Sequence, residues 1–279
     1  MRIINKNAKL LLIAFSSFSI NICLCQSFYT GIDLSYGMGL ASQNLTSNTT
    51  IGVTQTSHSL VIGSFGQGAS INAYFGYLQN QHISFELGIT YLQSHGFRGS
   101  AVKDTSYKQD LALSANMLRL APTIRFTVGE KKTKLYLKAG LLIRLAGKIT
   151  NESTYYDLLN GTVIQTEWKY SKGLSLGASG GLGLIRNFNT KSAIYCELFF
   201  NAQTWGPKNG NVVTYRVNGV DKIATLNPSQ RNTHYLNNYN SGGNNANYNY
   251  DQQLRQYFPF SSIGIKLGYQ LAFGKNKEK

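Results

Sequence analysis

His82 and Ser84 are the residues of this chain whose types and spacing come nearest to catalytic chemistry. They lie two positions apart, and Glu86 follows two positions later, so a β-strand would place all three side chains on one face. A histidine beside a serine is the arrangement in which a general base activates a nucleophile. The remaining histidines have no serine or acidic partner at a telling spacing, so no triad is predicted. They are His58, His95 and His234.

The spacing of His82 and Ser84 resembles that of the histidine and serine of a lipid A deacylase. That resemblance would imply a lipid-modifying enzyme whose substrate lies in the outer leaflet of a bacterial outer membrane. His82 instead lies beside a short turn after Asn80, which the strand pattern below places on the periplasmic side. The sequence also lacks a cluster of cysteine and histidine with metal-ligand spacing, and it lacks nucleotide-binding motifs. We therefore predict no catalytic residues, no cofactor and no metal site.

The composition argues against an ordinary water-soluble enzyme. Of the 279 residues only 14% are charged, against roughly 25% in a typical soluble domain. Glycine (28), tyrosine (18) and phenylalanine (14) are abundant, and the net charge is +15. The positive residues are scattered rather than clustered on one face, which excludes a nucleic-acid interface. A basic surface of this kind suits outer-membrane lipids and lipopolysaccharide as partners.

Residues 1–25 have the pattern of a cleaved export signal. Three positive residues precede an apolar run, Leu10–Phe15, that is too short for a confident membrane helix. Cleavage after Cys25 would leave a mature domain of residues 26–279 that begins with Gln26. A lipid-anchored chain would need a small residue before the acylated cysteine, whereas Ile22 and Leu24 occupy those positions.

Apolar residues recur at every second position along most of the mature chain, which predicts β-strands. Each predicted strand is long enough for a tilted membrane-spanning strand, which needs about 9–11 residues. The predicted strands are 28–40, 69–79, 82–93, 114–128, 134–147, 172–186, 191–204 and 258–273.

The connections between these strands alternate in length. Long polar stretches at 41–68, 94–113, 148–171 and 205–257 alternate with short turns after Asn80, at 129–133 and at 187–190. Short periplasmic turns and long extracellular loops are typical of transmembrane barrels. The sequence therefore predicts an all-β fold, an eight-stranded antiparallel transmembrane β-barrel with four long extracellular loops.

The face opposite the bulky apolar one is rich in glycine and serine and also holds charged residues. Eight strands close into a cylinder filled by side chains, so these charges would meet in the interior and pair. A soluble lipocalin-like barrel is the alternative, but glycine and serine would make a poor solvated outer surface. The predicted interior charges are Asp33, Glu86, Glu197, Arg119, Arg125, Lys138, Arg144 and Lys266.

The last strand carries a specific family resemblance. Residues Lys266–Phe273, KLGYQLAF, resemble the C-terminal signal of outer-membrane barrels, with Gly268, Leu271 and Phe273 at its defining positions. With the export signal and the strand pattern, the chain resembles the small outer-membrane barrels of the OmpA, OmpX and PorT-like kind. The resemblance implies recognition by the barrel assembly machinery during insertion. The tail 274–279 departs from it, because such proteins often end at the aromatic residue. A mature start at Gln26 resembles exported proteins of the Bacteroidota.

Aromatic residues suggest where the surface meets lipid and partners. Several lie near strand ends, where they would form girdles at the headgroup levels. The fourth long loop is rich in asparagine and tyrosine and suits either a polar contact surface or a mobile loop. The predicted girdle residues are Phe28, Tyr29, Tyr91, Phe126, Tyr136, Trp205, Phe258 and Phe273. The candidate loop contacts, which could stack on sugars, are Tyr235, Tyr239, Tyr248 and Tyr250.

The sequence thus predicts an outer-membrane protein with a structural or surface-interaction role, including adhesion or binding, through its extracellular loops. Three alternatives stay open. PorT-like barrels suggest a component of an envelope or secretion machine, which implies an envelope protein as partner. A narrow channel is opposed by the filled interior, and a lipid-modifying enzyme is opposed by the position of His82.

Overall fold

The computed structural model describes residues 27–129, 132–238 and 250–273, and within these ranges the fold is all-β and mainly antiparallel, as predicted. The predicted signal 1–25 with Gln26, the predicted loop contacts Tyr239 and Tyr248, and residues 274–279 lie outside the described residues. Two short helical segments, a 3-10 turn at Ile223–Thr225 and α1 (Pro228–Arg231), accompany the strands of the described ranges. Those 17 strands are β1 (Ser27–Gly39), β2 (Gln43–Ile51), β3 (Thr56–Gly63), β4 (Gly68–Leu78), β5 (Ile83–Ser94), β6 (Phe97–Lys103), β7 (Tyr107–Val128), β8 (Thr133–Asp157), β9 (Thr162–Ser171), β10 (Leu176–Asn187), β11 (Ser192–Trp205), β12 (Asn209–Val217), β13 (Val220–Asp221), β14 (Asn232–Leu236), β15 (Asp251–Leu254), β16 (Phe258–Pro259) and β17 (Ser262–Phe273).

Eight of these strands pair in a ring that returns to its first member. The order around the ring is β1, β4, β5, β7, β8, β10, β11 and β17, and every neighbouring pair is antiparallel. Asp33 of β1 illustrates the closure, because it lies opposite Asn72 of β4 on one side and Gly268 of β17 on the other. Each ring strand is therefore paired along both of its edges, which leaves the ring without an open sheet edge.

Side chains alternate along the ring strands between an outer and an inner face. The outer face is apolar, and Leu34 and Leu267 are 65% and 60% exposed on it. The inner face holds charged residues, and Asp33 and Glu197 are each only 2% exposed. This distribution is the reverse of that in a water-soluble protein, where large apolar side chains are mostly inside and charges outside.

The long connections contain strands that the sequence pattern did not predict. β2 and β3 lie in the first, β6 in the second, β9 in the third, and β12 to β16 in or at the end of the fourth. β7 begins at Tyr107 instead of 114, and β8 ends at Asp157 instead of 147. The strand count is thus 17 in the described residues instead of eight. β2, for example, is polar on both faces, so no alternation marks it.

These additional strands continue the wall of the ring on one side. They pair in the order β3, β2, β6, β7, β8, β9, β12, β14 and β15, and we call this part the extension sheet. β2 pairs with β6, and β14 with β15, in parallel orientation. The extension sheet lies at the end of the ring opposite the short turns, and we call these two ends the loop end and the turn end.

Two apolar clusters close the interior of the ring. At the turn end four tyrosines, Tyr29, Tyr74, Tyr136 and Tyr195, pack edge to face with centroid separations of 6.2 Å between neighbours. We call them the tyrosine layer. At the loop end Phe65, from the turn between β3 and β4, and Phe260, which precedes β17, fold inward. The apolar plug that they form consists of Phe65, Leu92, Phe97, Leu113, Ala115, Met117, Ile149, Trp205, Phe258 and Phe260.

Candidate functional site

Glu86 is the first centre of a charged cluster in the interior. It lies on β5, and its Oε1 is 3.0 Å from Nη1 of Arg125 on the neighbouring strand β7. Its Oε2 is 2.8 Å from Nζ of Lys138 on β8. The hydroxyl of Tyr29 also donates to Oε1 at 2.9 Å. Both oxygens of this buried carboxylate are therefore bonded to partners, which is the condition under which a buried charge is tolerated.

Glu197 is the second centre, and Lys138 joins it to the first. Nζ of Lys138 lies 3.4 Å from Oε2 of Glu197, and Nζ of Lys266 lies 2.7 Å from Oε1. The hydroxyl of Tyr136 donates to Oε2 at 2.9 Å. Five predicted interior charges thus form one continuous group, which we call the charge cluster. Its members are Glu86, Arg125, Lys138, Glu197 and Lys266.

Three predicted interior charges are not ion-paired in this way. Asp33 accepts hydrogen bonds from the Tyr195 hydroxyl (2.7 Å) and from Asn72 (2.8 Å), both on Oδ2. Arg119 lies further towards the loop end, opposite Thr90 of β5. Its hydrogen-bond acceptors are the sulfur of Met117 and the carbonyl oxygen of Phe260. Inward parity placed both side chains inside, but neither forms an ion pair with a member of the charge cluster.

Arg144 is the clearest departure from the predicted network. Its guanidinium lies at the loop end, where it donates to the carbonyls of Gly173 (3.0 Å) and Gly147 (2.7 Å). It also stacks on the ring of Trp205, 4.0 Å from the ring centroid. These contacts fasten the backbone around the plug, so Arg144 has a structural role that is separate from the carboxylates.

The tyrosine layer is the part of the site that sequence reasoning missed. Tyr29 and Tyr136 were predicted as girdle residues, yet they are 3% and 1% exposed and face the interior. Trp205 and Phe258 are also buried, in the plug. The parity of Tyr29 was the available signal, because it shares a face with Gly31 and Asp33. The four other predicted girdle residues are exposed on the outer face: Phe28, Tyr91, Phe126 and Phe273.

Each ring of the tyrosine layer lies over a glycine of the adjoining strand. A Cβ at Gly268 would collide with the ring of Tyr195, and one at Gly183 would collide with the ring of Tyr136. The same relationship joins Tyr29 to Gly76 and Tyr74 to Gly31. These glycines provide the room for four phenol rings whose hydroxyls bond to interior groups.

The predicted assembly signal includes two residues with evident structural roles. Lys266 belongs to the charge cluster, and Gly268 lies under Tyr195. Leu271 and Phe273 instead lie on the exposed outer face. Interior packing therefore gives a reason for Lys266 and Gly268 that is independent of any recognition during insertion.

His82 and Ser84 have different partners in the structure. Nδ1 of His82 is 3.0 Å from the carbonyl oxygen of Thr127 at the turn end. Ser84 is buried, and its hydroxyl forms a 2.8 Å hydrogen bond with the hydroxyl of Tyr29. Among the described residues there is no group of three histidine, cysteine, aspartate or glutamate side chains placed to hold a metal ion.

The predicted loop contacts that are described lie against other residues of the extension sheet. Tyr235 packs on Tyr170 and over Gly210, and burial raises the pKa of its hydroxyl well above the usual range. Tyr250 stacks on His234 with a centroid distance of 3.8 Å. Tyr235 is thus a packing residue instead of an open contact surface.

Comparison with known proteins gives little further information. No protein-family model matches the chain, and no curated protein sequence matches it. Among solved structures, the crystal structure of Neisserial surface protein A is similar over 88% of this chain and 97% of that chain, at 12% identity and a TM-score of 0.35. In the described part of the chain, no helix combines the length and the apolar character that a membrane-spanning helix needs.

Proposed function

We propose that this chain is an integral outer-membrane β-barrel whose eight ring strands cross the bilayer. The observation that carries the proposal is the reversed burial of the ring, with leucine, isoleucine and phenylalanine exposed outside and the charge cluster inside. An apolar outer face is stable in hydrocarbon and costly in water. A soluble lipocalin-like barrel would need the opposite arrangement.

The closed pairing of the ring supports the same proposal. A backbone N–H or C=O without a partner costs several kcal/mol in hydrocarbon, so a spanning sheet has to close on itself. The ring strands meet this condition, since each is paired on both edges. The shortest of them, β4, has 11 residues, which is enough for a tilted strand to cross a bilayer.

The proposed role is structural and surface-interacting, through the extension sheet at the loop end. The tyrosine layer and the apolar plug block the two ends of the interior, which favours this role over that of a channel. The different partners of His82 and Ser84 likewise favour a role without catalysis. The surrounding partners in this proposal are outer-membrane lipids and lipopolysaccharide, with the barrel assembly machinery acting during insertion.

Gel migration of outer-membrane fractions with and without boiling tests the membrane barrel. A closed barrel resists detergent until it is heated, so we expect a faster band in the unboiled lane. A band that does not shift, from protein recovered in the soluble periplasmic fraction, would contradict the proposal.

Cysteine labelling tests the orientation. Cys196 lies on the outer face of β11, where lipid would shield it, and Val53 lies 91% exposed at the turn between β2 and β3. On intact cells we expect a membrane-impermeant maleimide to label Val53→Cys and to leave Cys196 unlabelled. Efficient labelling of Cys196 in native membranes would oppose burial of this face in lipid.

A further inference from the structure

A cavity of about 70 Å³ lies inside the ring, between the charge cluster and the apolar plug. Hydroxyl and amide side chains line much of it, among them Ser35, Ser70, Thr90 and Asn201. A buried water needs on the order of 10–15 Å³ of such space, so the cavity has room for about five waters. The buried charged groups in this lining, such as Asp33 and Arg119, favour a hydrated cavity over a dry one.

Asp33 faces this cavity with half of its carboxylate unbonded. The residue is 2% exposed, and both of its hydrogen bonds, from Tyr195 and Asn72, go to Oδ2. Oδ1 is buried and has no protein partner. A buried carboxylate oxygen without a donor is costly, so the interior must provide it with one.

Arg119 faces the same cavity with its charge uncompensated by a direct contact. It is 2% exposed, and its protein acceptors are a thioether sulfur at 3.3 Å and the carbonyl of Phe260 at 3.4 Å. A guanidinium has five N–H donors and keeps its charge in proteins. No ion pair joins Arg119 to any carboxylate of the described residues.

The charges that line the cavity identify the counterpart of Arg119. Lys138 and Lys266 face it too, but both are paired with carboxylates of the charge cluster, as are Glu86 and Glu197 themselves. Asp33 is the one carboxylate lining the cavity that has no ion pair in the described part of the chain. We propose that water molecules in this cavity bridge Oδ1 of Asp33 to the guanidinium of Arg119, so that the two residues form a water-mediated ion pair.

This inference goes beyond the proposed membrane function. It concerns the interior alone, which is the same whether lipid or water surrounds the ring. An unshifted band in the gel experiment would therefore contradict the membrane function and leave the inference about the cavity to be decided by its own test.

A double-mutant cycle tests the coupling. Asp33→Asn, Arg119→Gln and the double variant are refolded with the full mature chain, and the folding equilibrium constant is measured by reversible urea unfolding. Each single change lowers the folding equilibrium constant by some factor, because it leaves the other charge alone in the cavity. We expect the constant of the double variant to be at least about fivefold larger than the product of those two factors predicts. Strictly multiplicative effects would overturn the proposal. The matched control pairs Asp33→Asn with Arg144→Gln, which lies outside the cavity, and is expected to be multiplicative.

Diffraction from the unmodified protein decides the question even if a variant does not refold. At a resolution that reveals ordered water, we expect density within hydrogen-bond distance of both Oδ1 of Asp33 and the guanidinium of Arg119. Crystals soaked in bromide identify a halide by its anomalous signal. A bromide peak beside Arg119, or a cavity without ordered density, would overturn the proposal.

Discussion

The hydroxyl of Tyr195 donates a 2.7 Å hydrogen bond to Asp33, a residue 162 positions away in the sequence. Tyr195 reaches Asp33 because its ring lies over Gly268 of β17, the strand between β11 and β1. A bulky residue, a glycine and a carboxylate on three adjacent strands therefore act as one unit. Gly268 belongs both to this unit of three residues and to the predicted assembly signal.

Gly268→Ala is expected to prevent stable closure of the ring, because the new Cβ would collide with the ring of Tyr195. The same change in a Tyr195→Ala background is expected to add little further loss, since the ring is no longer there. Folding is measured by the band shift on boiling after refolding in vitro and after expression in cells. Gly180→Ala is the control. The atom nearest to its new Cβ, the backbone oxygen of Lys138, would lie at 3.8 Å, which is an ordinary van der Waals contact.

Gly268→Ala with and without Tyr195→Ala distinguishes a packing role of Gly268 from recognition of Gly268 by the assembly machinery. If Gly268 is needed chiefly as part of an assembly signal, Gly268→Ala will block insertion in cells regardless of residue 195 and will refold normally in vitro. That result would contradict the packing explanation.

Lys138→Met is expected to lower the free energy of unfolding by about 3–5 kcal/mol, because it removes the cation that joins Glu86 to Glu197 and leaves buried negative charge with fewer partners. Urea unfolding in lipid vesicles measures the change. Lys108→Met is the control, since Lys108 pairs with Asp110 on an exposed part of β7, and it is expected to have no measurable effect. Wild-type stability of Lys138→Met would show that the charge cluster is dispensable.

Tyr29→Phe removes one hydroxyl that bonds both Glu86 and Ser84 and leaves the ring in place. A hydrogen bond to a buried charge contributes about 1.5–3 kcal/mol, and we expect a loss of this size in the free energy of unfolding. Tyr36→Phe in the same strand is the matched control, because Tyr36 is exposed on the outer face. Equal effects of the two changes would argue against a specific bond to Glu86.

Glu167 is expected to make the extension sheet sensitive to acid. Burial alone would raise the pKa of this carboxyl, but hydrogen bonds from Lys169 and Thr214, together with the charges of Lys169 and Lys148, lower its pKa below the usual value. A depressed folded-state pKa stabilises the folded state above the unfolded pKa of about 4.3, and this contribution is lost as the pH falls through the folded value.

We therefore expect the pairing of β9 with β12 to open faster below about pH 4 than at pH 7. Amide hydrogen exchange of these strands, corrected for the intrinsic effect of pH, measures the opening. Glu167→Gln should open as fast at pH 7 as the wild type does in acid and should lose most of the pH dependence. A wild type and variant with the same pH profile would refute this role for Glu167.

The sequence by itself determined the strands of the ring and the direction of their side chains. Strict alternation assigns inward positions to Asp33, Glu86, Lys138 and Glu197, since successive side chains of a strand point to opposite faces. The unequal size of the two faces indicated which face is outside. These are local properties of the chain, so one sequence was sufficient for them.

Tertiary structure alone decided which inward residues meet. Arg119 and Lys138 share inward parity, but the height of each along its strand places Lys138 between two carboxylates and leaves Arg119 without a direct carboxylate contact. The register of eight neighbouring strands sets this height, and it is a collective property of the closed ring.

The extension sheet and the plug depended on tertiary structure for a related reason. A strand such as β2 is polar on both faces, so no alternation marks it, and the extension sheet is held to the ring where β6 pairs with the protruding end of β7 and β9 with that of β8. The plug joins Phe65 to Phe260 across most of the chain. No local pattern reveals such a contact, because the hydrophobic gain from burying these residues exists only once the ring has brought their connections together.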